Sequence, residues 1–133
     1  MSNRGAIYNK EKALQVNNFE GLKFGLITPT DMDGFIDFGD KIFIFLEGKH
    51  KDVPMPYGQR LAFERLCSAA DKAGIFSVIL LANHDIDPPD DVNFDTLPVV
   101  KYYHKGEWRT PKTPITVKQS IDKILKINSY EIK

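Results

Sequence analysis

The pattern of hydrophobic positions between residues 30 and 49 predicts a β-hairpin. One apolar run begins at Gly34, directly after Asp33, and a second, longer run begins at Ile42. Both runs are rich in aromatic and β-branched residues, which favour strands, and the segment around Gly39 separates them as a turn. Because the second run is apolar on both faces of its predicted strand, we expect it at the centre of a sheet that is covered on both sides.

After this hairpin the pattern changes to helical periodicity. Residues 57–73 predict a helix that begins after Pro56 and ends at Gly74. Residues 75–82 then predict a third strand, and the order strand, helix, strand indicates a parallel crossover. The helix residues expected to face inward are Ala62, Phe63, Leu66, Ala69, Ala70 and Ala73.

Shorter patterns flank these elements. Residues 9–17 predict a short helix, residues 22–27 an edge strand and residues 99–109 a small hairpin. Thr116 and Gln119 have the spacing of a capping box, which predicts the start of a last helix. That helix is expected to reach about residue 127, with four inward side chains: Val117, Ile121, Ile124 and Leu125.

Together these elements predict an α/β fold, a mixed β-sheet with helices on both faces, in a single domain over residues 1–133. Eighteen basic and 18 acidic residues give a net charge of zero, which argues against a general polyanion-coating protein but permits a local basic site. The single cysteine, Cys67, fits a reducing cytoplasm. No membrane partner is expected, because no apolar run spans a bilayer and the N-terminus has no apolar signal segment.

Charged side chains follow the apolar second strand of the hairpin. Glu47 and Lys49 lie two positions apart, so they project from one face of the strand, and buried charges there need each other, a metal or a substrate. In an antiparallel hairpin Asp33 lies about 5 Å from Glu47 across the ladder. Two carboxylates so close repel unless a cation lies between them, and hard oxygen ligands suit Mg²⁺ or Mn²⁺. Lys49 can then contact a phosphate or orient a water, as metal-assisted phosphodiester hydrolysis requires.

The order of these residues resembles the PD-(D/E)XK nuclease superfamily. The matching features are Asp33 at a strand start, an E-x-K motif at Glu47 and Lys49 at the end of the next strand, and Gln59 early on the following helix. The resemblance is closest to Holliday-junction-resolvase-like and phage-encoded members. It implies a restriction-endonuclease-like core over about residues 30–84.

The resemblance also implies roles. Asp33 and Glu47 bind the divalent metal, Mg²⁺ or Mn²⁺, and Lys49 acts on the attacking water or the phosphate. Gln59 supports the site or contacts the nucleic acid. The implied activity is a metal-dependent endodeoxyribonuclease, selective for branched or junction DNA, in phage or mobile-element recombination or repair.

Basic residues that follow the E-x-K motif, Lys51 and Arg60, are expected to contact DNA phosphates, which position a substrate without reading its sequence. Junction-cutting relatives act as dimers, so the resemblance implies a homodimer. The apolar hairpin at Tyr102 and Tyr103, or the last helix, is expected to supply its two-fold interface.

Other interpretations of the same residues stay open. Glu47 and Lys49 also fit a solvent-exposed cross-strand pair. Asp31 and Asp33 also fit turn residues that bond their own backbone. Gln59 also fits a glutamine that bonds the loop before its helix.

Departures from the family pattern leave three assignments open. Met32 stands where many members have proline, and Asp31 is a rival to Asp33. Whether Glu11 or Glu20 adds a further acidic ligand is the third open assignment. The functional alternatives are a catalytically inactive nucleic-acid-binding module on the same fold and a non-enzymatic protein-interaction domain.

Overall fold

The computed structural model describes residues 18–132, which contain one five-stranded sheet and two α-helices. The helix predicted at residues 9–17 and the candidate ligand Glu11 lie outside this range. The strands are β1 Gly34–Phe38, β2 Ile42–His50, β3 Phe76–His84, β4 Val99–His104 and β5 Glu107–Arg109. The helices are α1 Tyr57–Lys72 and α2 Val117–Ile127, and 3-10 turns occupy Glu20–Leu22 and Phe94–Thr96.

The strands follow one another across the sheet in chain order. β1 and β2 form the predicted antiparallel hairpin, β2 and β3 are parallel through α1, and β4 and β5 continue antiparallel. Residues 39–41 connect the two strands. Gly39 and Asp40 have positive φ, 60° and 64°, and the Lys41 amide donates a hydrogen bond to the Phe38 carbonyl at 3.1 Å. The hairpin and the strand–helix–strand crossover are therefore confirmed.

The two helices cover opposite faces of the sheet. On the α1 face the buried cluster is Phe45, Phe63, Cys67, Ile79 and Tyr103. On the α2 face it is Ile42, Ile44, Val78, Leu80, Ala82, Leu97, Val99, Val117 and Leu125. Because successive side chains of β2 and β3 supply both clusters, these strands are central, and the predicted α/β fold with helices on both faces is confirmed.

The buried face of α1 differs from the predicted one. Phe63, Cys67 and Ala70, spaced by four and three residues, are the buried ones. Leu66 is 49% exposed and Ala69 is exposed, so the prediction that they face inward was wrong. Each precedes a buried residue by one position, which is a rotation of about 100° around the helix. Ala73 lies beyond the last turn and is exposed as well.

The edge strand predicted at residues 22–27 does not form. The segment instead contains the 3-10 turn and a tight turn at Gly25, whose φ is 67°. Phe24 and Ile27 close that turn with two backbone hydrogen bonds of 2.8 and 3.1 Å. The prediction was wrong because the two glycines allow the chain to fold back on itself before it reaches β1.

The C-terminal elements match their predictions. Thr116 and Gln119 form the reciprocal capping box, with hydrogen bonds of 3.1 and 3.0 Å, and β4 and β5 form the small hairpin. Neither helix in the described part of the chain has the length and apolar character needed to cross a membrane.

Candidate active site

The start of β1, the end of β2 and the first turn of α1 meet around a cleft of about 790 Å³. All four residues that the sequence assigned to catalysis line it: Asp33, Glu47, Lys49 and Gln59. Their positions follow from the hairpin register, in which Gly34 is opposite Leu46 and the next positions are therefore Asp33 and Glu47.

Asp33 and Glu47 are joined crosswise through the backbone. The Asp33 carboxylate accepts a hydrogen bond from the Gly48 amide at 2.8 Å, and the Glu47 carboxylate accepts one from the Asp33 amide at 3.3 Å. Since the Asp33 side chain bonds β2 and not its own turn, the interpretation of Asp33 as a simple turn residue was wrong. The arrangement holds two carboxylates on adjacent strands at one opening.

Glu47 is buried, with 3% of its surface exposed. Its Oε2 atom accepts hydrogen bonds from Lys49 Nζ at 2.6 Å and from Gln59 Nε2 at 2.9 Å. The Lys49 side chain is itself only 17% exposed. The interpretation of Glu47 and Lys49 as a solvent-exposed cross-strand pair is therefore wrong.

Gln59 connects α1 to β2 and to the segment that precedes β1. Its Oε1 accepts a hydrogen bond from Lys49 Nζ at 3.0 Å, and its Nε2 donates to the Asp31 carbonyl at 3.0 Å as well as to Glu47. None of these partners belongs to the loop before the helix, so that alternative is wrong. Gln59 holds the Lys49 ammonium group and the Glu47 carboxylate in one orientation.

Burial raises the pKa of Glu47 above its ordinary value of 4.5, and the nearby negative charge of Asp33 raises it further. Hydrogen bonds from Lys49 and Gln59 and the positive charge of Lys49 act in the opposite direction. The net rise in the pKa means that the ionised carboxylate lacks part of the stabilisation it has in water. A cation between Asp33 and Glu47 would supply that stabilisation.

The basic residues around the cleft are distributed differently from the prediction. Lys51 and Arg60 are exposed and are not among the lining residues, and Arg60 lies 3.7 Å from Glu64 as an ion pair. Their contact with DNA stays a prediction. Arg65, which the sequence placed among the basic groups near the site, lines the cleft. It lies seven positions, or about two helical turns, after Gly58, which also lines the cleft.

One wall of the cleft is apolar, which the sequence pattern did not predict. Phe19, Leu26 and Ile27 line it and are 46%, 102% and 71% exposed. Leu26 and Ile27 belong to the segment that was expected to form an edge strand, and Phe19 precedes it. The cleft therefore has carboxylates and an ammonium group on one side and exposed apolar side chains on the other.

Other candidate groups have structural explanations. Tyr103 is 7% exposed and belongs to the buried cluster on the α1 face, and the dimer interface expected at its hairpin or at the last helix stays a prediction. The indole of Trp108 donates a hydrogen bond to Glu64 at 2.7 Å. His84 accepts one from the Ile86 amide at 3.1 Å, as a strand-end residue.

The cleft is lined by three acidic residues, Asp31, Asp33 and Glu47, and by Lys49, Arg65 and Gln59, so Asp31 stays a rival to Asp33 as a metal ligand. Such a set can bind a divalent cation through oxygen and an anion through nitrogen. Comparisons with protein-family models, with curated proteins and with solved structures find no match to this chain.

Proposed function

We propose that this protein is a divalent-metal-dependent endodeoxyribonuclease of the PD-(D/E)XK type, with a restriction-endonuclease-like core. The observation that supports this most is the convergence of Asp33, Glu47, Lys49 and Gln59 on one cleft. Their order in the chain matches the family pattern, and their hydrogen bonds join three separate elements into one polar network.

The chemistry of the donor set fits Mg²⁺ or Mn²⁺. Asp33 and Glu47 are both hard oxygen donors, and the Oδ1 atom of Asp33 accepts no hydrogen bond from residues 18–132. No group of three or more acidic, histidine or cysteine side chains that could hold a metal occurs in the described range. An ion here would complete its coordination with water and phosphate oxygens, which Mg²⁺ commonly does.

A bound divalent ion would polarise the phosphate and lower the pKa of a water. The chain itself supplies Lys49, whose ammonium group orients the attacking water or contacts the phosphate. Gln59 keeps that ammonium group in place through its 3.0 Å hydrogen bond. Asp33 and Glu47 hold their carboxylates at the opening through the crosswise backbone bonds.

The proposed substrate is branched or junction DNA in phage or mobile-element recombination or repair. A net charge of zero, and a cleft whose basic lining residues within positions 18–132 are Lys49 and Arg65, favour contact with a limited stretch of backbone. We include in the proposal a homodimer, because symmetric cutting of a junction needs two sites, and phosphate contacts by Lys51 and Arg60.

A nuclease assay tests the proposal. Labelled duplex, single-stranded, flap and four-way-junction DNA are incubated with the protein in Mg²⁺, in Mn²⁺ or in EDTA. We expect metal-dependent cleavage, with preference for a branched substrate. Glu47→Gln and Lys49→Met are each expected to lower the cleavage rate by at least about 100-fold, as loss of a positioned charged group does.

Two variants serve as matched controls. Glu107→Gln and Lys118→Met change the same residue types at exposed ion pairs away from the cleft and should cleave at the wild-type rate. Circular dichroism checks that all four variants are folded. Absence of cleavage with every substrate and metal would overturn the enzymatic proposal, and retained DNA binding in that case would favour an inactive binding module.

A further inference from the structure

A second cavity, of about 440 Å³, lies on the α2 face of the sheet, opposite the face that α1 covers. We call it the α2 cavity. Its floor is formed by Phe76, Val78 and Leu80, the alternate side chains of β3 that point away from α1, and Ile124 of α2 lines its side. Its volume and apolar floor are within the range of small-molecule sites.

The charged residues that line the α2 cavity are all basic: Arg109, Lys112 and Lys123. Arg109 is neutralised by Glu107, whose carboxylate lies 2.7 Å from its guanidinium group. Lys112 and Lys123 take part in none of the ion pairs of residues 18–132. An apolar floor therefore lies beneath two ammonium groups for which the described range, residues 18–132, supplies no counter-charge within an ion pair.

Two uncharged polar side chains of the lining, Ser120 and His104, can form further hydrogen bonds. Ser120 is 8% exposed, and its hydroxyl takes part in none of the side-chain hydrogen bonds within the described range. His104 uses Nδ1 on the Ser77 carbonyl at 2.9 Å. Because a carbonyl only accepts, the neutral ring carries its proton on Nδ1 and keeps Nε2 as an acceptor.

We propose that the α2 cavity binds a small amphipathic anion, a compact hydrophobic body that carries one carboxylate or phosphate group. The body displaces water from the accessible apolar side chains of the lining, Phe76, Ile124 and Ile127, which is favourable in proportion to the apolar area covered. The anionic group lies between Lys112 and Lys123, where charge-assisted hydrogen bonds replace its hydration. This inference concerns the other face of the sheet and does not depend on the proposed nuclease activity.

Three probes with one hydrocarbon chain and different charge test the proposal: octanoate, octan-1-ol and octyltrimethylammonium. Titrations are followed by NMR chemical shifts of the ¹⁵N-labelled protein and by calorimetry. We expect octanoate to bind, with shifts centred on β3 and α2, at least about tenfold more tightly than octan-1-ol. The cationic probe should bind more weakly than either.

Charge reversal on the rim gives the second arm of the test. Lys112→Glu and Lys123→Glu are each expected to weaken octanoate binding by at least about fivefold. Lys118→Glu is the matched control on the same helix, because Lys118 is exposed, pairs with Asp122 and does not line the cavity. It should leave the affinity unchanged.

Several outcomes would overturn the inference. Absence of binding of both octanoate and octyl phosphate, equal affinity for all three octyl probes, or an equal effect of Lys118→Glu would each exclude a charge-selective site. Concentration-dependent shifts of α2 signals without any probe would show that a second copy of the chain covers the cavity. Octyl phosphate in place of octanoate distinguishes a preference for phosphate from one for carboxylate, and binding of either supports the site.

Discussion

At Glu47, burial and the charge of Asp33 raise the pKa of the carboxyl group, whereas Lys49 and Gln59 lower it. The side chain is almost fully buried, yet it lies beside the carboxylate of Asp33 and accepts hydrogen bonds from Lys49 and Gln59. The raised pKa shows that burial and repulsion outweigh the favourable contacts. Without a bound metal, the ionised Glu47 therefore lowers the free energy of unfolding. A cation bound beside Glu47 relieves this free-energy cost, so the cost is one source of affinity for a cation.

The pH dependence of stability should report this cost. A folded-state pKa raised above 4.5 means that the folded protein binds the proton more tightly than the unfolded chain. The resulting stabilisation is complete below the unfolded pKa and is lost as the pH rises through the folded one. In EDTA, wild type should therefore lose thermal stability relative to Glu47→Gln as the pH is raised from about 4 to about 8.

Melting temperatures of both proteins across this pH range, measured by circular dichroism, check the prediction. Glu107→Gln is the control at an exposed position and should follow wild type in parallel. A constant difference between wild type and Glu47→Gln at every pH would contradict it.

Gly48, between the two charged residues of the E-x-K motif, is restricted from the opposite face of the sheet. A Cβ atom at this position would lie 2.7 Å from Cζ and 3.1 Å from Cε2 of Phe94. Its amide also donates the hydrogen bond to Asp33. The residue is therefore limited in size by packing on one face while it positions a carboxylate on the other.

Gly48→Ala is expected to destabilise the protein by about 1–3 kcal/mol, the usual cost of overpacking. Phe94→Leu should remove most of this cost, because it shortens the side chain that clashes. Urea unfolding of both single variants and the double variant measures the coupling. Gly58→Ala is the control, since a Cβ there meets no atom within 4 Å. An equal cost of Gly48→Ala with Phe94 and with Leu at that position would exclude the clash as its cause.

At the scale of the elements, Gln59 is the polar connection between α1 and the hairpin. Gln59→Leu would remove the hydrogen bond to the Asp31 carbonyl and the hydrogen bond from Lys49. We expect a loss of about 1–3 kcal/mol in the free energy of unfolding, because partly buried partners stay unsatisfied. Urea denaturation measures it. Leu66→Ala, at an exposed position of the same helix, should change stability by less than about 0.5 kcal/mol, and equal losses in the two variants would contradict the role of Gln59.

The elements that could be predicted from the sequence are those with a strong local signal. The apolar run from Ile42, the helix between Pro56 and Gly74 and the capping box at Thr116 each carry their own periodicity or end signal. The closeness of Asp33 and Glu47 followed as well, because hairpin register is set by the turn and the alternation.

Features that depend on tertiary packing could not be predicted. The sequence of α1 gives an acceptable helical pattern with either Leu66 or Cys67 on the buried side. Packing against the sheet decides that Cys67 is buried. The contact of Phe94 with Gly48 joins residues far apart in sequence. The sequence pattern around Leu26 predicts a strand, whereas in the fold no strand of the sheet pairs with this segment and its apolar side chains are exposed.

At the scale of the whole molecule, the charges balance, and the side chains available for phosphate contacts are few. Lys49 and Arg65 are the basic residues that line the cleft, and Lys49 is already paired with Glu47. Binding that releases few counterions depends weakly on salt, with a slope of about −0.9 per phosphate contact in a plot of log affinity against log salt concentration. If the protein binds DNA as proposed, its salt dependence should be shallow.

Fluorescence anisotropy with labelled junction DNA in EDTA measures this slope without cleavage. We expect a magnitude of about 1–2 if Lys49 and Arg65 alone contact phosphates, and a decrease of about one for Arg65→Ala. Lys112→Ala, on the opposite face of the sheet, should leave the slope unchanged. If Lys51→Ala and Arg60→Ala lower the slope as well, the DNA path extends beyond the cleft along the loop and α1. A steep slope that is insensitive to Arg65 would instead place the DNA on another surface, because phosphates bound at the cleft must be neutralised by the cations that line it.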